Sequence, residues 1–154
     1  MDKPSRNMSE APDIPGTEDI VSWFDYWPSF HDAEVISITL DRSNESRIVI
    51  HTWESTAWTT REVDPNGYFL RKKEAIITFL FDGFPLDSQG ITNVHVEWFN
   101  HQNVLSGLSV IRKPDGYEIE LNGIYGVSAT ILTSRMRVEL RPGAPLDSNL
   151  KPKS

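Results

Sequence analysis

A change of hydrophobic period at Pro28 limits the folds open to this chain of 154 residues. Before this proline, apolar side chains recur with helical spacing and Thr17 is placed to cap, so we expect one helix from Thr17 to Tyr26. After it, apolar and polar residues alternate in short segments, as they do in strands that bury one face. Turn signals such as Asp64-Pro65-Asn66-Gly67 separate these segments.

We expect about eight strands after the helix, because the alternating segments recur at regular spacing. The segments Ile36 to Leu40 and Ile48 to Thr52 flank a polar turn and predict a β-hairpin. The run Glu74 to Phe81 is apolar on both faces, which is typical of a central strand covered on both sides. The sequence therefore predicts a mainly β fold of the α+β class, with mostly antiparallel strands in a sandwich or a curved sheet and one N-terminal helix.

The two ends of the chain differ in composition from its middle. Six of the ten prolines lie in residues 1–16 and 142–154, where they remove backbone hydrogen-bond donors. We therefore expect flexible tails at 1–16 and 142–154 around a single β-rich domain at 17–141.

The charge balance and the lack of cysteine exclude several classes of protein. The chain has 15 Lys and Arg against 22 Asp and Glu, a net charge of −7, and the whole acidic surplus falls within residues 17–141. This composition argues against nucleic acid as a partner, since that needs a basic patch. Without cysteine, the chain forms neither disulfides nor thiolate metal sites. No apolar run approaches the length of a membrane span or a signal-peptide core, so we expect a cytoplasmic protein.

Residues 27–34 combine two aromatic rings, an imidazole and two carboxylates where the helix gives way to strand. Asp32 could orient His31 as a base, or His31, Asp32 and Glu34 could together ligate a metal. We favour a structural junction, in which Trp27 and Phe30 pack and His31 and Asp32 bind nearby backbone groups.

No motif in the sequence specifies an enzyme. It has no glycine-rich phosphate loop and no nucleophilic serine motif, and no two histidines have the spacing of a known metal-ligand motif. The sequence therefore predicts no catalytic residue, no metal and no cofactor. One alternative stays open: a β-rich metal- or ligand-binding domain, with or without catalysis, that uses His31, Asp32 and His51.

An exposed tryptophan offers a different kind of site. Trp58 lies in a polar, loop-like segment, with Glu54, Glu62 and Asp64 close to it in the sequence. We expect Trp58 to lie near the surface and to anchor a protein partner, with these three carboxylates around it.

Several stretches are similar to one family of small bacterial proteins. The segment Trp27-Pro28-Ser29-Phe30-His31-Asp32-Ala33-Glu34-Val35, followed by the hairpin from Ile36 to Glu54, resembles the opening of the immunity protein 50 family. The resemblance implies a protein that is encoded beside a polymorphic toxin and protects its producer by binding that toxin. It supplies no catalytic residue. It spans about residues 20 to 141, with later similar stretches at Ile77 to Gly83, Phe99 to Leu105 and Gly123 to Leu140.

An acidic β-rich domain suits such a role, because many toxins that act on nucleic acid are basic. We therefore expect a non-enzymatic immunity-type protein that binds and neutralises a cognate toxin domain. A homodimer is compatible with the sequence, which leaves that question open.

Overall fold

The computed structural model describes residues 8–101 and 103–146, and this part of the chain contains ten strands and one α-helix. A single 3-10 turn, Thr56–Trp58, follows β4. In chain order the elements are β1 (Met8–Ser9), α1 (Thr17–Phe24), β2 (Trp27–Pro28), β3 (Glu34–Thr39), β4 (Ser46–Ser55), β5 (Arg71–Asp82), β6 (Ile91–Val96), β7 (Leu105–Lys113), β8 (Gly116–Gly123), β9 (Val127–Thr133) and β10 (Arg135–Pro142).

Eight of these strands form two antiparallel sheets of four. Sheet I has the strand order β10-β5-β4-β3, and sheet II has the order β6-β9-β8-β7. The two sheets share one hydrophobic core and so form a sandwich, which confirms the predicted mainly β fold with one N-terminal helix. The core takes Ile48, Ile50, Ile77, Phe79, Phe81 and Val138 from sheet I, and Leu105, Leu108, Ile119, Leu121, Val127 and Ile131 from sheet II.

Strand β5 is central in sheet I, as its two-sided apolar pattern predicts. It pairs with β10 on one side and with β4 on the other. Phe79 faces the core and is fully buried, and Ile76 and Leu80 on the other face are also buried. The strand therefore needs apolar residues at both odd and even positions.

Helix α1 is shorter than predicted and begins differently. The N-cap is Gly16, in the left-handed region at φ 96°, and Thr17 instead donates its hydroxyl to Pro12 O at 2.8 Å. The helix ends at Phe24 because Asp25 turns into the left-handed region and donates its N–H to Val21 O. Ile20 and Phe24 bury the apolar side of the helix in the core. No helix in the described residues is long and apolar enough to cross a membrane.

The prediction of a flexible tail before residue 17 needs correction for residues 8–16. Strand β1 pairs with β2, Ile14 is buried in the core, and Pro15 O accepts a hydrogen bond from Val138 N–H. Proline removes a donor but leaves its carbonyl free to accept, so a proline-rich segment can still pack on a domain. Residues 1–7 lie outside the described part of the chain.

At the other end, ordered structure continues past the predicted boundary of the domain. Pro142 is still paired in β10, and Gly143 N–H donates to Glu74 O at 2.8 Å. Most of the second predicted tail, residues 147–154, lies outside the described residues.

Candidate protein-binding site

The connection between β4 and β5, residues 56–70, is a long loop with its own internal pairing. We call it the β4–β5 loop. Thr56 N–H donates to Leu70 O at 2.9 Å where the loop leaves the sheet, and Val63 bridges Phe69 further out. The tip is a tight turn in which Asp64 Oδ1 accepts backbone hydrogen bonds. The loop is therefore a folded extension of sheet I.

Thr56 holds the two sides of this loop together. Its side chain is buried, and its hydroxyl donates to Glu62 O at 2.6 Å and accepts from Leu70 N–H at 2.9 Å. Its carbonyl accepts a further hydrogen bond from Arg61 N–H at 2.6 Å. A loop fixed in this way loses little conformational freedom when it binds a partner.

The β4–β5 loop presents large apolar side chains to solvent. Trp58, as the sequence predicts, lies near the surface, with 48% of its area exposed. Val63, Tyr68 and Phe69 are exposed as well, and the Arg61 guanidinium lies 5.1 Å from the centre of the Phe69 ring. Sequence reasoning missed these three residues, although Tyr68 and Phe69 directly follow the Asp64 turn. Clustered exposed aromatics with a nearby arginine are typical of protein interfaces.

Two of the three predicted carboxylates belong to this loop. The Glu62 side chain is half exposed, with an oxygen 3.9 Å from Lys72 Nζ. Asp64 Oδ1 accepts from Asn66 N–H at 2.8 Å and from Tyr68 N–H at 3.0 Å, so its main contact is with the turn itself.

The third carboxylate, Glu54, is not a surface charge, and its predicted place around Trp58 needs correction. Strand β4 runs on to Ser55, so Glu54 shares the inward side of the strand with Ile50 and Thr52. The residue is only 8% exposed, and Tyr26 Oη donates to its Oε2 at 3.3 Å.

The residues predicted to form a structural junction lie together where β2 leads into β3. Trp27 and Phe30 are buried, with their rings edge to face at 5.6 Å, and each also meets the Phe79 ring. His31 Nδ1 lies 3.1 Å from Ser106 O, and its Nε2 lies 3.5 Å from Asp32 Oδ1.

The backbone of this junction is held against β7. Asp32 N–H donates to Leu105 O at 2.9 Å, while Leu105 N–H donates to Ala33 O. Phe30 and Asp32 both adopt positive φ, at 62° and 69°. Such backbone strain persists only where the surroundings hold it, and these hydrogen bonds and the packed rings do so.

His51 lies on the outer face of sheet I, between Glu34 on β3 and Ile76 on β5. It is buried, its Nε2 is 3.6 Å from Glu74 Oε1, and its ring centre is 5.0 Å from that of Trp53. Burial lowers the pKa of His51. Among the described residues, no three His, Asp or Glu side chains are grouped to hold a metal ion. His31, Asp32 and His51 therefore do not form a metal site.

The β4–β5 loop thus combines exposed aromatic side chains, a backbone fixed by hydrogen bonds and the exposed carboxylate of Glu62. A surface of this kind can bind another protein without a cofactor. Comparisons of the chain with protein-family models, with curated proteins and with solved structures find no match in any of the three.

Proposed function

We propose that this protein is a non-enzymatic, immunity-type protein of bacteria that binds and neutralises a cognate toxin domain, with the β4–β5 loop as its toxin-binding element. The observation that carries the proposal is the fixed β4–β5 loop, which holds Trp58, Tyr68 and Phe69 in solvent. The resemblance of residues 27–35 to immunity proteins points to the same kind of partner. On this proposal the protein acts in the cytoplasm, where it meets the toxin made by its own cell.

The physical basis of such inhibition is tight contact through a few anchors. Tryptophan and tyrosine bury a large area with few rotatable bonds, and truncating a central anchor typically costs about 2 kcal/mol or more of binding energy. Because Thr56 already fixes the loop, little of that energy is lost in ordering it.

The net charge of −7 supports a basic partner. An acidic protein attracts a basic one over several ångströms, which speeds their encounter at low salt. Glu62 stands on the loop itself, directly before Val63, which bridges Phe69.

The test is co-expression of the protein with the toxin encoded beside its gene. We expect the cells to survive and the two proteins to purify as a complex. Trp58→Ala should weaken that complex, mainly through faster dissociation. Trp98→Ala is the matched control, since Trp98 is an exposed tryptophan on a loop of sheet II. Cell death in the presence of abundant folded protein, with no complex formed, contradicts the proposed function.

A further inference from the structure

An apolar cleft of about 340 Å³ opens between the end of β3 and strand β6, which are outer strands of the two sheets. Every residue that lines this cleft is apolar. Leu40, Val94 and Val96 form exposed walls, whereas Leu121 and Ile131 belong to the hydrophobic core. The cleft thus reaches from solvent into the space between the sheets, and its volume lies within the range of small-molecule sites, roughly 300–1,000 Å³.

Strand β6 is irregular where it lines this cleft. Its register against β9 shifts between Thr92 and His95, and Asn93 lies in the left-handed region at φ 54°. A bulge of this kind bends its strand and re-aims the side chains beside it, here Val94. The polar pair that follows, His95 Nε2 and Glu97 Oε1 at 3.4 Å, does not line the cleft. The charged groups of this edge therefore lie outside the apolar space.

A second, wider cleft of about 500 Å³ adjoins the first, because Leu40 lines both. Its charged residues are Asp41 and Arg42. The Asp41 carboxylate is already engaged, since its Oδ1 accepts two backbone N–H groups of the β3–β4 turn at 2.8 and 3.0 Å. Arg42 is exposed and has no ion-pair partner among the described residues. A cation that is free to bind an anion therefore lies beside the apolar cleft.

The two clefts together match one apolar chain that ends in a carboxylate. Apolar walls favour a ligand without polar atoms along its length, because a polar group buried there would lose its hydrogen bonds to water. A guanidinium binds a carboxylate through two parallel hydrogen bonds. The net charge of −7 opposes an anion at long range, so the apolar chain has to supply most of the affinity.

We propose that this protein binds a long-chain carboxylate of the fatty-acid type, with its chain in the apolar cleft between β3 and β6 and its carboxylate on Arg42. The side-chain amide of Gln89, in the wider cleft, offers a second donor.

This site is separate from the proposed toxin contact. Arg42 precedes the start of β4 at Ser46, whereas the β4–β5 loop follows the other end of β4 at Ser55. The ligand therefore does not depend on the proposed function, and Trp58→Ala should leave its binding unchanged.

Isothermal titration calorimetry of the full chain with sodium dodecanoate tests this site. We expect one dodecanoate per chain. Each methylene removed, in decanoate and then octanoate, should raise the dissociation constant about fourfold, because less apolar surface is buried.

Arg42→Gln should raise the dissociation constant for dodecanoate about fivefold, since it removes the ion pair with the carboxylate. Arg47→Gln is the matched control. Arg47 is an exposed arginine of the same hairpin, but it precedes the core residue Ile48 on β4 and so lies on the outer face of sheet I. It makes the same change in net charge and should leave the dissociation constant unchanged.

Ala129→Leu tests the apolar part of the site. Ala129 lines the cleft and is half-buried, so a larger side chain there fills the space and should raise the dissociation constant at least about tenfold. Ala57→Leu is its control, because Ala57 is also half-buried but lies in the 3-10 turn after β4.

Methyl NMR of the unmodified chain gives a measurement that does not depend on whether a variant folds. Dodecanoate should shift the methyl signals of Leu40, Val94 and Val96 and leave those of Val63 in place, although Val63 is 52% exposed and Val94 53%.

The absence of both heat and methyl shifts overturns the proposal. Octanoate that binds as tightly as dodecanoate, equal weakening in Arg42→Gln and Arg47→Gln, or a folded Ala129→Leu that binds normally would do the same. Binding to phosphatidylglycerol vesicles without binding of dodecanoate also overturns it, since the partner is then a membrane surface.

Discussion

His51 is a titratable side chain in a place that disfavours its charge. Burial lowers its pKa, the Arg71 guanidinium acts in the same direction, and the carboxylates of Glu74 and Glu34 oppose both. Its Nε2 has no hydrogen-bond partner among the described residues. The effect of burial is larger than that of the nearby carboxylates, so the folded protein favours the neutral form of the His51 ring.

This environment predicts a loss of stability on mild acidification. The unfolded chain protonates His51 near its ordinary pKa of 6.5, while the folded chain resists the proton until a lower pH. The free energy of unfolding should therefore be highest above about pH 7 and fall as the pH drops, by about 1.4 kcal/mol for each unit by which folding lowers the pKa. Denaturant titrations between about pH 5.5 and 7.5 measure this slope.

His51→Gln should flatten the pH dependence, whatever it does to absolute stability. His95→Gln is the control, because the His95 side chain is 65% exposed. A slope that persists in His51→Gln, or one that disappears in His95→Gln, contradicts this assignment.

Position 126 needs a glycine for two reasons, its left-handed backbone conformation and the close approach of Asn103. It has φ 94°, and a Cβ at this position would lie 2.1 Å from Oδ1 of the buried Asn103. Gly67 provides a matched comparison, with φ 85° and no atom within 4 Å of the place that a Cβ would occupy, so only backbone strain opposes a side chain there. Gly67→Ala should cost about 1 kcal/mol, and Gly126→Ala about 1–3 kcal/mol more. Thermal unfolding of the two variants measures the difference; equal losses would exclude the contact with Asn103.

The β4–β5 loop depends as an element on the hydroxyl of Thr56. Thr56→Val keeps the shape but removes the hydrogen bonds to Glu62 O and from Leu70 N–H, so we expect a loss of about 1–2 kcal/mol of stability. The loosened loop should also be cut faster by trypsin after Arg61. Thr56→Ser keeps the hydroxyl and should behave like the original protein in both denaturant titration and limited proteolysis. Cleavage of Thr56→Val at the original rate would show that other contacts hold the loop.

Elements were predictable from sequence where local periodicity decides the structure. The pattern through Ile77 and Phe79 predicts β5 because a central strand buries both faces. The periodic pattern predicts a helix as far as Tyr26, but α1 ends at Phe24, because the left-handed turn at Asp25 leaves no periodic signal. The burial of Glu54 follows from the extra length of β4, which local alternation allows but does not require.

The charges of the whole molecule act together on an approaching partner, because each acts over a Debye length of about 8–10 Å. If the proposed toxin contact is correct, Glu62→Gln should slow association about two- to threefold and reduce its salt dependence. Glu118→Gln makes the same change in net charge on β8 of sheet II and is the control. Association rates at several salt concentrations distinguish a local from a global effect. Equal slowing in both variants would mean that only total charge matters.

The order of the strands in the two sheets is harder to predict from the sequence than the strands themselves. Alternation leaves a sandwich and a curved sheet equally open, because it does not reveal which strands are neighbours. The place of β10 beside β5 and the packing of Ile14 in the core both depend on contacts between distant parts of the chain. The same holds for the candidate site: Trp58 was predictable as a loop residue, but the fixed shape of its loop was not.

The pairing of β5 with β10 has a consequence for the growing chain on the ribosome. All four strands of sheet II lie between these two in the sequence, and their register runs from Arg135 opposite Asp82 to Pro142 opposite Ala75. Sheet II can therefore assemble before β10 has been translated. During that time one edge of β5, a strand that is apolar on both faces, has no partner strand. In that interval a nascent chain is open to pairing with other chains. A stop codon just before Arg135 would make the interval permanent and leave a fragment prone to aggregation.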